Sequence, residues 1–155
     1  MGALPDAPES YDLIWSEGAA YTIGVERALH LWRPLLRAGG ALAFSELTWL
    51  TPEPPAEVQA YLIEAYPAMR DRAGNRALIE GAGYEIVDDF TLPPEDWLEA
   101  YYEPMRRRMA SLADRAAREP AVAGALAQAE REIEIYERFG SSYGYVFFLA
   151  RKPSR

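Results

Sequence analysis

The run Tyr143-Gly-Tyr-Val-Phe-Phe-Leu-Ala150 is apolar along almost its whole length and spans only one strand's worth of residues. Such a run predicts a strand buried on both faces, inside a sheet that helices cover. Upstream, Tyr11-Asp-Leu-Ile-Trp15 is short, apolar and aromatic and is followed by a Gly18 turn, which predicts a first strand. Between Ile23 and Leu36, the residues Val25, Ala28, Leu29, Trp32, Leu35 and Leu36 recur on one helical face. Pro34 lacks an amide donor, so it kinks this helix or starts a separate last turn, and Gly39-Gly40 reads as the helix stop. Ala41 to Leu47 is a second strand. Strand, helix and strand make one βαβ unit, with parallel strands and a right-handed crossover.

The rest of the chain continues in the same style. After a proline-rich acidic loop at Pro52–Pro55, Val58, Tyr61, Leu62, Ala65 and Tyr66 fall at helical spacing, and a short helix from about Asp71 to Glu80 ends at Gly81-Ala-Gly83. Tyr84 to Phe90 is a third strand, partly exposed. Pro93 to Arg138 is a long helical stretch with a break at Glu119-Pro120. The expected architecture is one α/β domain over 1–155: two parallel strands, a third strand and a terminal strand, with flanking helices.

Composition removes whole classes of chemistry. With 155 residues, half of them apolar and 26% charged, the chain can bury a core. No cysteine and a single histidine, His30, exclude disulfides, thiolate metal sites and paired-histidine catalysis. A net charge of -8 opposes contact with a phosphate backbone, so no nucleic-acid partner is expected. No run approaches the roughly 20 apolar residues of a membrane span. With no basic, apolar leader at the start, the expected compartment is the cytoplasm.

Ligands of open α/β sheets bind beyond the carboxyl ends of the strands. The first strand ends in Ser16-Glu17-Gly18 and the second in Ser45-Glu46. Glu17 suits a general base or a group that orients a substrate hydroxyl or amine. Gly18 lets a ligand approach the backbone, and Glu46 is a second carboxylate on the same edge. Ser16 and Glu17 equally suit a helix cap and first turn. Tyr21 suits a pocket mouth. Arg27 suits an anionic substrate group or an ordinary surface salt bridge. Tyr101 and Tyr102, with Trp97, form an aromatic stretch that either folds over a pocket as a lid or packs that lid together. Arg106-Arg107-Arg108 reads as a solvated face, and Asp88-Asp89 makes a poor metal pair because adjacent strand residues face opposite sides. No G-x-G-x-x-G and no phosphate loop follows any strand.

Taken together, Leu4-Pro5, Tyr11-Asp-Leu-Ile-Trp-Ser-Glu-Gly-Ala-Ala-Tyr-Thr-Ile-Gly24 and Trp32-Arg-Pro-Leu-Leu-Arg-Ala-Gly-Gly-Ala-Leu-Ala-Phe-Ser-Glu46 resemble the second half of a class I S-adenosylmethionine-dependent methyltransferase of the small-molecule type. Ala77-Leu-Ile-Glu-Gly-Ala-Gly83-Tyr84 is similar to the helix and glycine turn before that fold's sixth strand, and Tyr143 to Phe148 is similar to its antiparallel seventh strand.

The resemblance implies a Rossmann-like methyltransferase sheet represented by its last four strands, two parallel ones and a hairpin-like pair, with a helical lid at about 93–142. The family's first three strands, with the glycine-rich cofactor loop and the acid that holds the ribose, have no counterpart. S-adenosylmethionine is the implied cofactor. Met1 and Gly2 then fall at the adenine edge, Ser16 at the methionine end, and Gly18, Arg27, Glu46, Tyr101 and Tyr102 on the substrate side. Glu17 and Tyr21 are the implied candidates for a general base. The chain alone is expected to be inactive, and to dimerise or associate through the open apolar edge at 11–15. The alternative from another class is a non-catalytic interaction or regulatory module derived from this fold. A carboxylate hydrolase using Glu17 and Glu46 is a third option.

Overall fold

The computed structural model describes residues 7–154. They form two compact units, one made of the chain up to Thr91 together with the segment from Ser141 onward, the other of Leu92–Gly140.

The first unit is built on a sheet of five strands. Strand β1 (Tyr11–Glu17) leads through a 3-10 turn to helix α1 (Val25–Trp32) and strand β2 (Leu36–Trp49). Helix α2 (Ala56–Ala65), the two-residue strand β3 (Arg70–Asp71), helix α3 (Arg72–Gly81) and strand β4 (Glu85–Thr91) follow, and strand β5 (Tyr143–Arg151) completes the sheet. The order is β1-β2-β5-β4, with β3 paired to β2. β1 and β2 run parallel, as the βαβ pattern requires, while β5 lies antiparallel between β2 and β4.

Helix α1 ends earlier than its apolar pattern, because Pro34 opens a separate 3-10 turn over Arg33–Leu35. The predicted glycine stop is therefore replaced. Gly39 and Gly40 lie inside β2, where the β1–β2 register jumps from Tyr11↔Leu36 to Leu13↔Ala41. The extra β2 residues bulge out there. Gly39 adopts a φ of 75°, and a Cβ at Gly40 would come 2.9 Å from the Arg37 carbonyl oxygen.

Helices α1 and α3 cover one face of the sheet. Val25, Ala28, Leu29 and Trp32 of α1 and Ile79 of α3 pack on Leu42, Phe44, Val146, Phe148 and Ala150. The Phe44 and Phe148 rings stack at 5.4 Å, and the buried Tyr84 hydroxyl donates to the Leu29 carbonyl at 3.0 Å. Asp89 of β4 points to the same face, where Arg72 and Arg76 of α3 bind it, the former at 2.8 Å.

The second unit is helical: α4 (Pro94–Trp97), a π-helical turn (Leu98–Tyr102), α5 (Glu103–Ser111), α6 (Ala113–Ala116) and α7 (Pro120–Phe139). The chain breaks at Glu119 with Pro120 in the first turn of α7, as expected. Trp97, Tyr102 and Tyr136 stack at its centre, with centroids 4.8–6.0 Å apart. No described helix is long and apolar enough to cross a membrane.

Candidate functional site

The carboxyl ends of β1 and β2 lie side by side, with Ser16 opposite Phe44 and Glu17 opposite Ser45. Gly18 turns the chain out of β1 with a φ of 50°. Its amide donates to Ser45 Oγ at 3.0 Å and to the Ser45 carbonyl at 3.2 Å, which ties the two strand ends together.

Glu46 is the chemically unusual residue of this edge. It sits on β2 opposite Val146, on the helix-covered face, and is 1% exposed. No donor meets hydrogen-bond geometry at either carboxylate oxygen. Burial pushes its pKa up from 4.5 to about 7, and the nearby Tyr66 hydroxyl and the Leu47 and Tyr21 backbones pull it back only part of the way. Tyr66 follows the end of α2, and its ring meets Tyr21 at 5.5 Å. Burial and the Glu46 charge raise the Tyr66 hydroxyl above its ordinary value.

A polar relay holds β2 at this point. Asn75 Nδ2 of α3 donates to Thr48 Oγ1 at 3.0 Å, and Thr48 Oγ1 donates to the Glu46 carbonyl at 2.9 Å. Asn75 and Thr48 are both buried. A buried carboxylate costs stability when its hydrogen bonds are incomplete.

The other expected site residues are distributed as follows. Ser16 is half-buried on β1, and Glu17 is exposed, its Oε1 accepting from Trp15 Nε1 at 2.5 Å. Tyr21 is 47% exposed beside Tyr66, so Glu46, Tyr66, Tyr21, Ser45 and Gly18 form one cluster. Arg27 and His30 are exposed on α1. Tyr101 and Tyr102 belong to the helical unit, where Tyr102 is buried in the Trp97–Tyr136 stack and Tyr101 is largely exposed. Met1 and Gly2 lie outside the described residues. Arg106 and Arg107 pair with Glu137 and Glu103 on an exposed face. Asp88 and Asp89 separate as alternation requires, one exposed and one buried against arginines. Tyr66 and Asn75 were not singled out as site residues from sequence, because only the packing of α2 and α3 brings them to β2.

No protein-family model matches the chain, and no curated protein matches it. Solved structures do. The [4+2]-cyclase SpnF superposes with a TM-score of 0.71 at 22% identity, covering 98% of this chain and 53% of its own. A putative sarcosine dimethylglycine methyltransferase from Galdieria sulphuraria gives 0.74 at 18%, covering 98% and 56%. An S-adenosylmethionine-dependent methyltransferase from Geobacter sulfurreducens, in complex with S-adenosyl-L-homocysteine, gives 0.70 at 19%, covering 92% and 58%. The chain spans little more than half the length of these structures. Its open α/β sheet with flanking helices is thus the fold it shares with S-adenosylmethionine-dependent methyltransferases, over that portion of their length.

Proposed function

We propose that this chain forms the substrate side of an S-adenosylmethionine-dependent methyltransferase that acts on a small molecule. The observation that carries the reading is Glu46: a buried carboxylate, without a hydrogen-bond partner, at the strand edge where this fold class takes ligands. The kinship of fold with the Geobacter and Galdieria methyltransferases supports the reaction class.

The fit to the cofactor is one-sided. Ser16 and the Gly18 turn would face the amino-acid end of S-adenosylmethionine, and no glycine-rich strand-to-helix loop in this sequence would meet its nucleoside end. When bound, the cofactor would supply an electrophilic methyl group. The chain's own residues would do the rest. Glu46 would accept a hydrogen bond from the substrate's hydroxyl or amine, and its pKa near 7 suits it to take up a proton there. Tyr21 and Tyr66 would wall the substrate in and exclude water. Glu17 is exposed on the same edge, and its Oε1 accepts from the Trp15 indole. Arg27 remains a substrate-side candidate, and Tyr101 and Tyr102 belong to the helical unit.

The [4+2]-cyclase among the matching structures is a reminder that this fold also serves reactions other than methyl transfer. Calorimetric titration with S-adenosylhomocysteine separates the readings. Saturable binding that Ser16→Trp abolishes supports the methyltransferase reading; no heat for either protein favours a module without cofactor.

A further inference from the structure

The groups gathered round Glu46 are aromatic and hydroxylic, and no cation is bonded to it. Both carboxylate oxygens are buried and have no donor in hydrogen-bond geometry among the described residues. The Tyr66 hydroxyl and the Leu47 and Tyr21 backbones bear on the carboxylate. Arg70, an exposed arginine, acts on the Tyr66 hydroxyl instead, as does Tyr145. The rings of Tyr66 and Tyr21 lie 5.5 Å apart, tilted by 53°. Tyr66 is half-buried and Tyr21 is 47% exposed, so the pair leads from solvent to the carboxylate.

A carboxylate in this setting gains most from a ligand that brings positive charge. A neutral hydroxyl satisfies a lone pair but leaves the desolvated charge uncompensated. An ammonium supplies N–H donors and charge together, in a charge-assisted bond. The faces of tyrosine rings attract the same group, and a net charge of -8 favours its approach. We propose that Glu46, Tyr66 and Tyr21 form a recognition site for an ammonium group, so that the small molecule taken at this edge is a cationic amine and not a neutral alcohol. The ligand reaches Glu46 by displacing the exposed Tyr21 ring. The proposal deepens the substrate-side reading of this edge and rests on it for the place of the ligand, not for the reaction. The titration of Glu46 accords with it: burial keeps a proton on the carboxyl up to about pH 7, and an arriving ammonium replaces that proton as the compensating charge and releases it to solvent.

NMR titration of the chain without cofactor, using butylammonium chloride and its neutral counterpart 1-butanol, tests this. At pH 8 butylammonium should bind at least about tenfold tighter than 1-butanol. Saturation with butylammonium should lower the midpoint of the Glu46 carboxyl carbon titration by about one pH unit, as a tenfold preference for the ionised form requires. 1-Butanol should leave that midpoint in place. Glu46→Gln keeps the shape of the side chain and should abolish the preference, with circular dichroism unchanged. Tyr21→Leu keeps apolar bulk at an exposed position and should weaken butylammonium by about two- to fivefold while sparing 1-butanol. Equal affinity of the two probes, a preference that survives Glu46→Gln, or a Glu46 midpoint that stays in place under saturating butylammonium would each overturn the proposal. S-adenosylhomocysteine takes no part, so the ammonium preference can fail while cofactor binding stands, and can stand while cofactor binding fails.

Discussion

A methyl group on Gly18 would lie 2.9 Å from the Tyr145 hydroxyl oxygen, so the turn that closes β1 and a side chain of the central strand β5 occupy adjoining space. With a φ of 50°, Gly18 also stands in the left-handed region that side chains avoid. Gly18→Ala therefore meets two obstacles. The conformational one costs about 1–2 kcal/mol, which lowers the melting temperature by about 3–6 °C in a chain of this size. The steric one falls on the far end of a tyrosine. Gly18→Ala combined with Tyr145→Phe should recover only the steric part, and thermal melts of the single and double variants measure both.

Glu46 makes stability fall as pH rises. Its folded pKa, about 7, stands above the 4.5 of the free group, so between these values the folded chain holds a proton that the unfolded chain releases. Stability is greatest below pH 4.5 as far as this group is concerned, declines through the window, and is flat above pH 7. The full difference is about 3 kcal/mol. Glu46→Gln removes the ionisable group, so at pH 8 it should stabilise the unliganded chain by up to that amount, with little effect at pH 4.5. Urea denaturation across the pH range reads the slope. Equal stability of the two proteins at pH 8 would show that the carboxylate is satisfied in the folded chain.

Asn75 serves the same edge from behind. Asn75→Ala leaves Thr48 without its donor and opens space beneath β2. A cost of about 1–3 kcal/mol is expected, with the Glu46 titration, followed by carboxyl carbon NMR, shifting because the Glu46 backbone loses its support. A loss of stability without any change in that titration would separate Asn75 from the site.

Asp89 ties β4 to α3. Its carboxylate is buried while Arg72 and Arg76 are partly exposed, so Asp89→Asn weakens both ion pairs and should cost about 1–2 kcal/mol. Arg76→Met should cost less, because Arg72 remains and also donates to Thr91 Oγ1. Denaturant midpoints of the two variants give the order.

The strands were legible where short apolar or aromatic stretches are bounded by turns. β1, β2, β4 and β5 all announce themselves by composition, and the strand–helix–strand order implies the parallel pair. β3 was not legible, because Arg70-Asp71 is too short to carry a pattern and exists only through its pairing with β2. Gly39-Gly40 misled for a definite reason: Pro34 had already ended the helix, and the glycines serve the bulge in β2 instead. Glu46 was visible as a strand-end carboxylate, but its isolation was not. That depends on Asn75, Tyr66 and Val146 arriving from other elements. The contact of the Trp15, Phe147 and Phe90 rings was hidden for the same reason, since these residues lie far apart in the chain and meet only in the sheet.

In the proposed function the β1–β2 carboxyl edge holds the amino-acid end of S-adenosylmethionine and its substrate. Backbone amide NMR shifts recorded while S-adenosylhomocysteine is added test it most directly. Saturable shifts are expected at Ser16, Gly18, Ser45 and Glu46, and none along β4. Shifts confined to other elements, or no shift at those residues over the same range, would contradict it.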